Sequence, residues 1–255
     1  MQTILITGAS AGIGQATALY LAEKMDCQLI LCARRLKKLQ SLKSEIKSLN
    51  PNCEILCLSL DVRHDKEVKS LFDKLETDGQ KIDVLINNAG LSQGLDAIQD
   101  GLTEDWDRMI DTNVKGLLYV TKAALPFLRK SKSPQIINIG SIAAKEVYPK
   151  GNVYNATKHA VDALNKAMRI DLIKDKIKVS AIHPGMVETE FSEVRFKGDK
   201  ERAKKVYEDF QPLVAKDIAQ IIHFVLSLPQ HVNINDLLVM PLAQASPYVV
   251  NKENE

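Results

Sequence analysis

Short apolar runs alternate with longer amphipathic ones along the chain, and this rhythm limits the possible folds more than any other feature. The strand-like runs are residues 3–7, 28–33, 54–59, 84–87, 135–140, 178–182 and 237–240. Helical patterns lie between them, at roughly 12–24, 35–49, 65–78, 104–129, 153–174 and 216–228. Strand, helix, strand, repeated, predicts a parallel sheet covered on both faces by right-handed crossovers. Ile4-Leu5-Ile6 and Ile136-Ile137-Asn138-Ile139 suit strands buried on both sides. The expectation is one α/β domain over residues 1–255, a doubly wound sheet of about seven strands. Ligands of such a sheet bind outside the carboxyl ends of its strands.

Two stretches break the rhythm. Residues 88–103 read as a loop, and residues 183–215 as a flap over the site, with a helical signal at 201–210. Pro126 lies inside an apolar helical pattern, so a kink is expected near residue 125. A net charge of +2 gives no basic field for nucleic acid. No apolar run approaches the ~18 residues of a membrane span. Met1-Gln2-Thr3 leads straight into a strand rather than a secretory leader. Cys27, Cys32, Cys53 and Cys57 lack a second ligand cluster, so buried free thiols are expected rather than zinc. These features set the expectation of a cytoplasmic protein without metal.

Thr7-Gly8-Ala9-Ser10-Ala11-Gly12-Ile13-Gly14 follows the first strand and opens the first helix. Glycines there allow a tight turn and close approach of a pyrophosphate to a helix N-terminus. The second strand ends at Ala33, where an acidic residue would bind the ribose of NAD. Arg34 and Arg35 follow instead, and a pair of guanidinium groups suits the 2′-phosphate of NADP. A solvated first turn of the next helix would look similar. Asp61-Val62 follows the third strand, where Asp61 suits an adenine contact or a turn. Asn87-Asn88-Ala89-Gly90 follows the fourth, as small residues beside an adenosine or as an ordinary loop.

Tyr154 and Lys158 stand four residues apart and share a helix face. A cation favours the phenolate, so the pair suits a general acid/base. Alone, it reads better as a core tyrosine under a snorkelling lysine. Ser141 ends the fifth strand and would face the same crevice.

Taken together, Thr7–Gly14, Asn87–Gly90, Ser141, Tyr154-x3-Lys158 and Pro184-Gly185 resemble the short-chain dehydrogenases/reductases over essentially the whole chain. The resemblance implies a Rossmann-like fold and NADP(H) as cofactor. It implies that Tyr154 exchanges the proton, that Ser141 hydrogen-bonds the substrate oxygen, and that Lys158 lowers the Tyr154 pKa and holds the nicotinamide ribose. Asn113, in Asp111-Thr112-Asn113-Val114, matches the family's helix asparagine and would support a water in the proton relay. Gly8, Ser10, Gly12, Ile13, Gly14, Arg34, Arg35, Asp61, Val62, Asn88, Ala89 and Gly90 would line the cofactor site. Pro184, Gly185, Val187 and Thr189 would meet the nicotinamide end. His183 and His159 have no fixed role in the family.

The run Glu190–Asp199, with Gly151–Tyr154, Leu228–Asn235 and Val239–Pro241, is similar to the NADP-dependent 3-hydroxy acid dehydrogenase group. That likeness implies oxidation of serine, allo-threonine or 3-hydroxyisobutyrate to 3-oxo acids. Arg195, then Lys197, would meet the substrate carboxylate; as surface charges or cofactor-phosphate ligands both would read the same. It also implies a homotetramer, commonly paired through helices equivalent to 104–129 and 153–174. The polar end, 245–255, suits a free tail or a contact with a neighbouring subunit. A broad NADPH-dependent carbonyl reductase would use the same site in reverse. A dinucleotide sensor or scaffold would have no reason to keep tyrosine, lysine and serine together.

Overall fold

A computed structural model describes residues 1–252. The chain runs β1 (Gln2–Thr7), α1 (Gly12–Lys24), β2 (Cys27–Ala33), α2 (Leu36–Leu49), β3 (Glu54–Ser59), α3 (Asp65–Thr77) and β4 (Val84–Asn87). It continues through α4 (Thr103–Ile110), a π-helical segment (Asp111–Gly116), α5 (Leu117–Leu128), β5 (Gln135–Ile139), α6 (Asn152–Asp171) and β6 (Lys178–Pro184). The last part holds β7 (Val187–Glu188), α7 (Phe191–Arg195), α8 (Lys200–Lys205), β8 (Leu213–Val214), α9 (Ala215–Ser227) and β9 (Asp236–Val239).

Seven strands form one sheet in the order β3-β2-β1-β4-β5-β6-β9, and every pair is parallel. The order reverses between β1 and β4, which is where a doubly wound sheet opens its ligand crevice. Successive side chains point to opposite faces, so each strand feeds two cores. Ile4, Ile6, Leu29 and Leu31 pack under α1, α2 and α9. Leu5, Ile30, Leu85 and Ile136 pack under α3, α5 and α6. The four thiols are free; three are buried and Cys57 is half-buried.

Polar side chains cross the second core at one level. Asn87 Nδ2 donates to Asn138 Oδ1 and to Thr121 Oγ1, both at 2.9 Å, joining β4 to β5 and α5. Amides buried this deeply stabilise only when paired.

The structure departs from the expected pattern in two places. The single helix expected over 104–129 is divided by the π segment, whose wider turn carries Asn113 inward; α5 runs past Pro126 to Leu128. A single π turn has no residue signature of its own, so the sequence does not betray it. The flap is shorter than expected at its start, because β6 runs on to Pro184. It is closed by a two-stranded parallel sheet, β7 with β8, and the helical signal at 201–210 resolves into the short α8 followed by turns. Of the polar end, residues 253–255 lie outside the described part, while Gln244 and Val250 form an antiparallel bridge.

Asn138→Ala removes one of the two acceptors of the Asn87 amide, together with a partner of Asn165. It is expected to lower unfolding free energy by about 1–3 kcal/mol per orphaned group, read as a lower urea midpoint at unchanged slope.

Candidate active site

One cleft of about 610 Å³ runs along the carboxyl ends of the strands. Apart from Lys197, all the site residues expected from sequence line it except Gly14 and Asn113. Both exceptions act from behind. A Cβ on Gly14 would stand 2.5 Å from Asn88 Nδ2 and 2.6 Å from the Gly8 carbonyl, so glycine lets α1 close on the turn. Asn88 braces that turn by donating to the Thr7 carbonyl at 2.9 Å and the Gly8 carbonyl at 3.2 Å. Gly8 itself has φ +66°, the left-handed region that favours glycine. Asn113 accepts from Leu91 N–H at 2.9 Å and donates to the Leu91 carbonyl at 2.8 Å and Thr157 Oγ1 at 3.0 Å. It therefore ties the loop after β4 to α6.

At one end of the cleft the residues fit a phosphorylated ribose. The Arg34 guanidinium has no hydrogen-bond partner among the described residues, and burial holds it below its ordinary range. Arg35 donates to Ser10 Oγ at 3.2 Å and to Glu190 at 2.9 Å, and Lys38 reaches the same Glu190 carboxylate at 2.6 Å. Glu190 thus holds an anion's place against two cations, from the residue that begins α7. The Asp61 carboxylate is engaged by Arg63, through both its main-chain N–H and its guanidinium, which favours the turn role over an adenine contact.

At the other end stand the acid/base candidates. Lys158 Nζ donates to the Ile139 carbonyl at 2.9 Å and lies 5.9 Å from the Tyr154 ring centroid. Ser141 is the second residue past β5, and its Oγ accepts from Ala143 N–H at 3.1 Å. Burial pushes the Tyr154 phenol well up; Tyr148 adds to this, while Arg195 and a hydrogen bond with Ser141 pull it down. Burial also brings Lys158 down to about 8. The expectation that Lys158 tunes the phenol therefore gives only part of the picture: burial dominates, and Arg195 is the leading opposing cation.

Arg195, on α7, lies 5.4 Å from the Tyr154 ring centroid and 5.1 Å from that of Phe191. It donates to Ser92 Oγ at 3.2 Å and to Tyr148 Oη at 3.0 Å. Lys197, the second candidate for a substrate carboxylate, instead pairs with Asp105 at 2.8 Å and does not line the cleft. Tyr148, Glu190, Phe191 and Tyr207 also line the cleft. Tyr148 and Tyr207 lie outside every motif and gave no sequence signal, whereas Glu190 and Phe191 open the Glu190–Asp199 run already singled out.

A family model described as short chain dehydrogenase matches residues 2–200. The chain belongs to the short-chain dehydrogenase/reductase family. Among relatives, this short-chain dehydrogenase is 42% identical over 243 residues to an NADP-dependent 3-hydroxy acid dehydrogenase of Schizosaccharomyces pombe, covering 95% of this chain and 93% of that one. It is 40% identical to sulfoacetaldehyde reductase 2 of Chromohalobacter salexigens, over 98% of both chains. A solved serine dehydrogenase, closed and complexed with NADP+, superposes with a TM-score of 0.90 at 40% identity, covering 96% of each chain.

Glu190→Gln removes the carboxylate that occupies Arg35 and Lys38. Adenosine 2′,5′-bisphosphate is expected to bind up to about fivefold more tightly by calorimetry, the range of a half-exposed ion pair.

Proposed function

We propose that this dehydrogenase oxidises small 3-hydroxy acids to 3-oxo acids with NADP. The observation that carries this reading is Arg195, a cation held by Tyr148 and Ser92 within 5.4 Å of the Tyr154 ring centroid. Two of its donors are committed, and the rest of the fork remains for a carboxylate. A 3-hydroxy acid presents its alcohol to Tyr154 while its carboxylate, two carbons away, meets Arg195. Both cofactor-phosphate cations, Arg34 and Arg35, line the far end of the same cleft.

Bound NADP would supply the acceptor for a hydride leaving the alcohol carbon. Ser141 holds the alcohol oxygen by a hydrogen bond, and Tyr154 takes its proton. Lys158 steadies the negative charge on the phenolate and would hold the nicotinamide ribose. The cradle of Gly8, Gly12 and Ala89 would take the pyrophosphate and adenosine against main chain. If the substrate carries an amino group on C2, its oxo product should lose carbon dioxide readily. In reverse, the same residues reduce anionic aldehydes, a direction favoured by the likeness to sulfoacetaldehyde reductase 2.

We place the protein in the cytoplasm, as a homotetramer. No helix among the described residues is long and apolar enough to cross a membrane. Ile110, Leu118 and Ile170 stand exposed on α4, α5 and α6, the helices expected to pair between subunits. Light scattering that gives a monomer mass at micromolar concentration would reject the assembly.

Initial rates decide the cofactor and the substrate class: faster turnover with NADP than NAD on a 3-hydroxy acid is expected, and a clear NAD preference rejects the reading. Tyr154→Phe should lower kcat by about 10²–10⁴ while cofactor binding survives. Arg195→Leu should raise KM for 3-hydroxy acids about 10- to 100-fold, with much smaller effects on uncharged alcohols. Because burial raises the Tyr154 pKa, its proton-accepting form grows with pH. Oxidation should therefore speed up from neutral to alkaline pH, and reduction should slow.

A further inference from the structure

Directly behind Ser141, away from the cleft, His183 is fully buried at the end of β6. Its Nδ1 lies 3.3 Å from the Ser141 amide nitrogen and 3.2 Å from the Ser141 carbonyl oxygen. Its Nε2 lies 3.1 Å from Asp236 Oδ2, on β9, and 3.6 Å from Asp162 Oδ1, on α6. Lys145, at the end of the short 3-10 turn after Ser141, donates to both carboxylates, at 2.9 Å to Asp162 and 2.7 Å to Asp236. Lys166 closes the group on the other Asp162 oxygen at 2.6 Å. Asp162, His183 and Asp236 stand close enough to share a cation, and the Lys145 ammonium fills that place.

The two carboxylates only accept, so they fix the proton on Nε2. In the neutral ring Nδ1 is then bare, and its partner is the Ser141 N–H. Burial, with Lys145, holds the imidazole below its ordinary range against the opposing pull of Asp236 and Asp162. From β5 the ring meets only main chain: a Cβ on Gly140 would fall 2.2 Å from Nδ1. Glycine at that position lets the imidazole press against the backbone one residue before the serine. Ser141 is thus pinned on one side through its amide and on the other through its Oγ, which accepts from Ala143.

We propose that His183 is a positioning residue for the reaction: clamped by Asp236, Asp162 and Lys145, it fixes the Ser141 main chain and with it the hydroxyl that meets the substrate oxygen. This rests on the role given above to Ser141. It also implies an acid limit: protonation puts a hydrogen on Nδ1, which then turns from the Ser141 N–H to the Ser141 carbonyl 3.2 Å away and shifts the hold on that main chain. The charged groups facing the ring are Asp236, Asp162 and Lys145, with Lys166 behind Asp162.

The test is a double-mutant cycle on the full chain, with kcat, KM, pH profile and NADP affinity measured for each variant. His183→Leu should lower kcat about 10- to 100-fold, the scale of a small misplacement of a reacting group, while NADP affinity changes less than about twofold. His183→Asn keeps an acceptor near the Ser141 amide and should recover most of kcat while losing the acid limb of the pH profile. In a Ser141→Ala background the leucine change should have almost no further effect. Asp236→Asn, at a partly exposed position, repeats the cycle with a milder change should the leucine variant fail to fold. Equal losses with and without Ser141, or unchanged kcat in the leucine and Asp236→Asn variants, overturn the proposal. If Ser141→Ala alone leaves kcat intact, the reading of the serine itself fails, and the His183 proposal falls with it for a separately visible reason.

Discussion

Parallel strands cannot be joined by tight turns, so each must be followed by a crossover long enough to return to the same end of the sheet. That constraint brings the carboxyl ends of all seven strands to one edge, and the whole cleft is built on it. The sheet is buried on both faces, so most side chains within it are apolar, with Asn138, Ser180 and His183 buried among them. Polar groups gather at the strand ends, where the chain leaves the core. Gly8 follows β1, Arg34 follows β2, Asp61 follows β3, Asn88 follows β4 and Ser141 follows β5. Lys158 closes the arrangement by reaching from α6 to the last carbonyl of β5.

Charge is distributed along the cleft to match what the polar ends leave open. Arg34 and Arg35 stand at one end, and Lys158 and Arg195 near Tyr154 at the other. The carboxylates among them are already matched: Glu190 to Arg35 and Lys38, Asp61 to Arg63. What remains favours a molecule with anionic groups at both ends of its path. Burial of Tyr154 and Lys158 works against charging either.

Much of this was legible in the sequence. The seven strands and their helices fall close to the boundaries read from apolar runs, because strands covered on both faces leave an unmistakable pattern. Ser141, Tyr154 and Lys158 converge as their spacing and the family likeness required. What stayed hidden depends on contacts between residues far apart in the chain. Arg195 meets Ser92 across 103 positions, and Arg35 meets Glu190 across 155. His183 sits beside a recognisable Pro-Gly turn, yet its partners come from α6, β9 and the turn after β5. No periodicity records such meetings. The π segment escaped for another reason: a single wide turn has no residue signature of its own.

The clasp of β7 on β8 has a consequence for how such a protein diverges. Val187 pairs with Leu213 and Glu188 with Val214, so the intervening chain leaves and rejoins the body at one fixed point. The entropic cost of closing a loop grows only with the logarithm of its length. Residues inside the clasp can be lengthened, shortened or replaced without disturbing the sheet that carries the cofactor cradle. Arg195 and Phe191 lie inside it; Ser141, Tyr154 and Lys158 lie outside. The acid/base candidates and the cation proposed to meet the substrate thus lie on separate segments of one chain, although Thr189 and Glu190, which also line the cleft, lie inside the clasp.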